Sequence, residues 1–195
     1  LTHHILTQAG CKTALISTIS AKVGDDHIDT GYHTTSPEPL DLHKYLASAA
    51  RNGYSAIVLE TTSHALDQHR YFGVNFEVSG VTNVTPEHLD YHGSMKEYTK
   101  TKASIFKQSN HVILNKDDPS LYTLLEYTTD EPEIVDYREL IFPSGYGRKY
   151  PGIYNLQNAA LAVGLAKKIC PKITDTIINN ALASPPDIPG RFEYE

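Results

Sequence analysis

Short apolar runs alternate with segments of helical period along this chain, and that alternation limits its possible folds more than any other feature. Residues 56–59 (AIVL) and 111–114 (HVIL) are compact apolar stretches. Strands buried on both faces read this way, and they belong to parallel sheets covered by helices. Residues 13–18 (TALIST), 78–82 and 134–137 supply further strands, the second a weaker one. Helical patterns occupy 1–9, 95–107, 121–127, 155–169 and 174–183, with Gly10 as the stop for the first. Ser36 and Pro37 are expected to open another helix, with Leu42, Tyr45, Leu46 and Ala49 on its apolar face and Gly53 at its end. Residues 24–37 are expected to form a loop, and 141–152 a loop or a short irregular insertion. The expected fold class is α/β: a mostly parallel sheet, helices on both faces and right-handed crossovers, in one domain with no linker inside it.

Composition removes several function classes. A formal charge of -6, without a basic tail or cluster, argues against a nucleic-acid partner. Cys11 and Cys170 lie far apart and lack metal-ligand spacing, so they read as free thiols in a reducing compartment. No apolar run approaches the ~20 residues that span a bilayer, and no signal peptide is visible. A cytoplasmic location and a monomer are expected. LTHHILTQAG reads as mid-helix and PGRFEYE brings no closing element, so the chain reads as a piece of a longer protein.

Ligands of open parallel sheets gather outside the carboxyl ends of the strands. Glu60 follows AIVL, and the segment 83–92 carries His88 after the next strand. A carboxylate and an imidazole brought together form a partial shell for Mg²⁺ or Mn²⁺. The plainer alternative is that Glu60 caps a helix through TTSHAL and His88 is an ordinary satisfied polar residue. At 100° per residue, Lys102 falls on the same arc as Met95, Tyr98, Ile105 and Phe106, while Lys96, Lys100 and Lys107 cluster elsewhere. A lysine there snorkels out, finds a partner or serves as a buried functional amine. Asn155 and Asn158 stand at the start of the alanine-rich helix, where one caps and the other offers an amide to a base edge. Arg191 is placed to meet a phosphate or simply solvent. No G-x-x-x-x-G-K-[ST] loop occurs in these residues.

ETTSHALDQHR, TNVTPEHLDYHG, the Tyr-x-x-x-Lys of EYTKTKASIF, ILNKDDP, GIYNLQNAA and PGRFE appear in one order. In that order the chain resembles the central domain of the Mur ligases over nearly its whole length. S-H-A-L-D-Q and D-Y-H-G are most similar to the branch that extends UDP-N-acetylmuramoyl-alanyl-glutamate by one residue. The resemblance implies a P-loop-type α/β domain, at the centre of a three-domain, ATP-dependent amide-bond ligase. In that chemistry ATP phosphorylates a peptide carboxylate, and a free amino acid attacks the acyl phosphate. By position, Glu60 and His88 resemble the family's Mg²⁺ ligands, and Lys102 the lysine that is carbamylated into a further ligand. Burial favours the neutral amine, which is the form that takes up carbon dioxide. Thr34, Thr35, Ser63, Gln68 and Arg70 resemble groups that hold the UDP-N-acetylmuramoyl peptide, and Asn155, Asn158 and Arg191 resemble the ATP side. The chain departs from the family pattern in three ways: the phosphate loop expected just before Leu1 is absent, both flanking domains are absent, and the segment between Asp118 and Gly152 is short. The domain that selects the amino acid is not among these residues, so that amino acid is not named. Two other readings compete: a related ligase such as folylpolyglutamate synthase, and a noncatalytic nucleotide-binding scaffold without the phosphate loop.

Overall fold

The computed structural model describes residues 1–17, 21–23, 26–28 and 36–186, so Thr34, Thr35 and Arg191 lie outside the described residues. Helix α1 (Thr2–Gln8) turns through Gly10, at φ 78°, into strand β1 (Thr13–Ile16). A short hairpin, β2 (Ala21–Val23) and β3 (Asp26–Ile28), precedes helix α2 (Pro39–Arg51). Strand β4 (Ala56–Leu59) leads into helix α3 (Ser63–Asp67), and strand β5 (Phe76–Val81) into α4 (Leu89–His92) and α5 (Met95–Ala103). Strand β6 (Ser109–Asn115), α6 (Leu121–Leu125), β7 (Glu133–Val135), α7 (Tyr146–Lys149), α8 (Ile153–Ile169) and α9 (Asp175–Ala183) complete the described order.

The α/β expectation holds, with helices on both faces. Strands β1 and β4 pair in parallel from Thr13 opposite Ala56 to Ile16 opposite Leu59. Strands β5, β6 and β7 are likewise parallel neighbours. The AIVL run shows why an unbroken apolar stretch belongs here. Ile57 and Leu59 pack on one core with Ala14, Ile16, Val81 and Leu114, while Ala56 and Val58 pack on the other with Ile5, Leu6 and Ala159. Helices α2, α3 and α5 cover the first core, and α1, α8 and α9 the second.

Several local expectations are corrected. The sheet is not continuous: β3-β2-β1-β4 and β5-β6-β7 are separate hydrogen-bonded sheets. The segment expected as a loop contains β3, paired antiparallel with β2, and β2 in turn pairs with the edge of β1. Edge pairing satisfies backbone groups without an apolar pattern, so nothing in the side chains announced it. Helix α2 starts at Pro39, with Glu38 extended before it, rather than at Pro37. Ser36 is instead buried, its hydroxyl 2.6 Å from that of Tyr71. The helix expected over 95–107 tightens after Ala103 into a 3₁₀ turn over Ser104–Gln108. Among the described residues, no helix is long and apolar enough to cross a membrane.

Glycine sets the closeness of the second layer. A Cβ on Gly164 of α8 would stand 3.0 Å from Val135 Cγ1 and 3.3 Å from Ile113 Cγ2. Gly164→Val is therefore expected to destabilise the chain by about 1–3 kcal/mol, read as a lower urea midpoint. An unchanged midpoint would mean that α8 does not pack on β6 and β7 this way.

His4 ties α1 to the end of α9. Burial lowers its pKa from the ordinary 6.5, with the carbonyls of Ala181 and Ser184 opposing, and its Nε2 is enclosed without a partner. The folded chain thus holds His4 neutral where the unfolded chain would protonate it. Its contribution to stability is whole above pH 6.5 and falls as pH drops below that value. Urea midpoints measured between about pH 7.5 and 5.5 are expected to fall less in His4→Asn than in the parent chain; identical slopes would refute the assignment.

Candidate active site

Two loops, one from each sheet, meet over a cleft of about 480 Å³. One follows β4. There the Glu60 amide continues the ladder to Ile16 O at 2.9 Å, and Thr62 caps α3 by accepting from the Ala65 amide at 3.2 Å. Thr62, not Glu60, is thus the cap of the TTSHAL helix. The other loop follows β5 and carries His88, whose φ of 55° places a non-glycine residue in the left-handed region just before α4. Such a conformation costs energy and persists only where its surroundings hold it.

Aromatic packing supplies that hold. The His64 ring lies 4.8 Å from His88, 4.3 Å from Tyr91 and 5.6 Å from His92, and Tyr98 stands 6.3 Å from His88. Ser63 is buried and its Oγ is 3.0 Å from His92 Nε2, which joins the two loops. Tyr91 adds a hydroxyl donated to Asp67 at 2.8 Å. Burial lowers the His92 pKa, and the charges of His64 and His88 add to that effect.

Lys102 rises into the same cleft from α5. Its Nζ donates to Asn83 O at 2.8 Å and lies 4.8 Å from the centre of the Tyr98 ring. The side chain is half-buried, so of the three expected fates it has found a partner. Arg70 lines the same cleft. Its Nη1 donates to Ser36 O at 3.0 Å and pairs with Glu38 Oε1 at 2.9 Å, and its Nε donates to Gln68 Oε1 at 2.8 Å.

The structure thus gathers Ser63, Gln68, Arg70, His88 and Lys102 around one cleft. Glu60 is exposed and sits one residue outside that wall, where its charge acts on the Leu1 amine and the Tyr71 hydroxyl. Asn155 and Asn158 lie on α8, away from the cleft lining, and the Asn155 amide donates to Pro151 O at 2.7 Å as a local turn contact. Sequence reading did not assign Ser36, Thr62 or Tyr98 to the site. The position of Tyr98 one turn before Lys102 on α5 was the signal available.

Among the described residues, no three His, Cys, Asp or Glu side chains form a metal-holding group. His88 and Glu60 supply one imidazole and one carboxylate, while the Lys102 amine as it stands donates a hydrogen bond. His88 and Lys102 line the cleft together while Glu60 lies outside its wall, so a hard cation such as Mg²⁺ would find an anionic oxygen ligand in this cleft only if Lys102 carried one.

Fold and cleft together define an α/β protein with a cleft beyond the carboxyl ends of its parallel strands. Residues 1–140 match the family model for the Mur ligase middle domain, and the chain belongs to the Mur ligase family. It is similar to UDP-N-acetylmuramyl-tripeptide synthetase 2 of Oceanobacillus iheyensis, at 32% identity over 98% of this chain and 44% of that protein. It is also similar to the UDP-N-acetylmuramoyl-L-alanyl-D-glutamate–2,6-diaminopimelate ligase of Aquifex aeolicus, at 33% identity over 99% of this chain and 44% of that protein. The chain thus spans less than half the length of these relatives. A solved structure of a UDP-N-acetylmuramoyl-L-alanyl-D-glutamate–2,6-diaminopimelate ligase superposes with a TM-score of 0.79 at 19% identity, covering 97% of this chain and 44% of that one. An FPGS–AMPPCP complex superposes with a TM-score of 0.59 at 16% identity, covering 94% of this chain and 59% of that one.

Proposed function

We propose that this chain is the central domain of a longer cytoplasmic ligase, which joins a free amino acid to UDP-N-acetylmuramoyl-alanyl-glutamate at the expense of ATP. The observation that carries the reading is the meeting of His88, Lys102 and Arg70 in one cleft at the strand ends. The substrate is the one named for the relatives in Oceanobacillus iheyensis and Aquifex aeolicus.

The chain's own residues then divide the work. Arg70, with Gln68 beside it, binds an anionic part of the UDP-N-acetylmuramoyl peptide. The Lys102 amine, once its ammonium has given a proton to solvent, adds to carbon dioxide; a nitrogen–carbon bond forms and a second proton leaves, giving a carbamate. Glu60, His88 and that carbamate would hold Mg²⁺, which when bound neutralises charge on the transferring phosphoryl group. The His64 and Tyr98 rings, which both meet His88 edge-on, keep it oriented. Asn155, Asn158 and Arg191 serve the ATP side. The phosphate loop is supplied from outside these 195 residues, since none of them forms a G-x-x-x-x-G-K-[ST] run.

The test is phosphate release that requires ATP, the UDP-dipeptide and an amino acid together. The longer ligase is expected to show it, and the 195-residue chain alone is not. A longer protein that binds nucleotide but releases no phosphate with any amino acid would favour the scaffold reading. Release by the isolated chain would refute the assignment of the phosphate loop to another segment.

A further inference from the structure

Lys102 hangs from a carbonyl, and that carbonyl is itself held in place. Its amine donates to Asn83 O at 2.8 Å. Asn83 belongs to the stretch that follows β5, and β5 runs parallel to β6 with Val81 opposite Leu114. Residues 82–84 and 115–120 therefore leave the sheet side by side. Two hydrogen bonds stitch them together: Asn115 Nδ2 donates to Thr82 O at 2.9 Å, and Ser120 Oγ donates to Val84 O at 3.1 Å.

Asp118 stands inside this stitch. Its Oδ1 accepts from the Ser120 amide at 2.7 Å, the Val84 backbone faces it, and its Oδ2 is sealed from solvent with no partner. Asp118 is only 8% exposed and Asn115 only 3%. Burial raises the Asp118 pKa, while the two backbone contacts and the Lys102 charge pull it back. A surface turn gains nothing from enclosing a carboxylate with an unused oxygen, which costs free energy. No step of the proposed chemistry uses it directly.

We infer that Asp118, together with Asn115 and Ser120, is a positioning residue for Lys102. It fixes the 82–84 backbone, and the Asn83 carbonyl then fixes where the amine stands relative to His88. The consequence for catalysis rests on the ligase reading, but the geometry can be tested without it.

The experiment is reductive methylation of the 195-residue chain, with the rate at each lysine read by peptide mass spectrometry. Lys149, whose amine donates to Pro185 O at 2.8 Å, is the internal reference. Asp118→Ala is expected to raise the Lys102 rate about fivefold relative to Lys149, the factor that corresponds to one typical hydrogen bond. Asp118→Asn keeps an oxygen for the Ser120 amide and is expected to hold the parent rate. Ser120→Ala removes only the bond to Val84 O and is expected to give a smaller rise; it decides the matter if Asp118→Ala does not fold. A Lys102 to Lys149 ratio unchanged in both alanine variants overturns the inference, and so does an asparagine variant that behaves like the alanine one. Incubation with ¹³C-bicarbonate gives a second reading. Carbamate on Lys102 is expected to fall in the alanine variants and persist in the asparagine variant. If no variant, the parent chain included, carries the carbamate, the ligase reading fails at Lys102 while the labelling result for Asp118 stands.

Discussion

Replacing Lys102 with alanine in the complete ligase is expected to lower kcat by about 10²–10³-fold, the range seen when one preorganised transition-state contact is removed. Affinity for the UDP-N-acetylmuramoyl peptide is expected to change little. The split follows from geometry. The Lys102 amine sits over Tyr98 and on Asn83 O, whereas Arg70 is engaged by Ser36 O, Glu38 and Gln68. On the reading proposed above, a carbamate at that amine would add an anionic oxygen ligand in the cleft that His88 also lines; alanine would leave that place one anion short as phosphoryl charge develops. Lys102→Asp is not expected to restore full activity, because its carboxylate ends well short of the position a carbamate reaches. Small carboxylic acids added to the alanine variant are expected to restore part of it by filling the vacated place. Intact mass in bicarbonate buffer gives the direct check. A fully active enzyme whose Lys102 is never modified would remove this residue from the mechanism.

Arg70→Ala is expected to weaken binding of the UDP-N-acetylmuramoyl peptide by roughly 30-fold, from the loss of about 2 kcal/mol of charge-assisted hydrogen bonding, with little change in ATP affinity. Arg70 is 17% exposed, and its Nη1 and Nε are already engaged by Ser36 O, Glu38 and Gln68. That framing points the guanidinium into the cleft at little further entropic cost when ligand arrives. Arg70→Lys is expected to recover only part of the affinity, since an ammonium cannot reproduce the planar fork. Titration calorimetry of both ligands on each variant settles the matter. Equal loss for ATP and the UDP-peptide would place Arg70 outside the peptide site.

Much of the fold was readable along the chain because its signals are local. Strand β4 declared itself by four apolar residues in a row, and its alternate side chains do enter two different cores. The position of Lys102 on the arc of Tyr98, Ile105 and Phe106 followed from helical period alone, and Tyr98, Ile105 and Phe106 are indeed buried. The start of α2 was misread by two residues because Pro37 and Pro39 carry the same local signal; the burial of Ser36 against Tyr71 chose between them. The chain motifs also placed Glu60, Ser63, Arg70 and His88 after strands, where ligands of such sheets gather.

What the tertiary structure decided is which of these groups meet. The bond between Ser63 and His92, the edge-to-face contact of His64 with His88 and the hold of Asn83 O on Lys102 join residues 29, 24 and 19 positions apart. Glu60 stays outside the cleft wall, and the break between β4 and β5 divides a sheet that apolar runs alone would have drawn as one. Periodicity reports the face a residue buries, because the backbone repeat sets it residue by residue. Partners across strands and loops are chosen by contacts between distant segments. Their energies depend on side chains that no local window contains, so the apolar pattern named the layers and packing alone assembled the site.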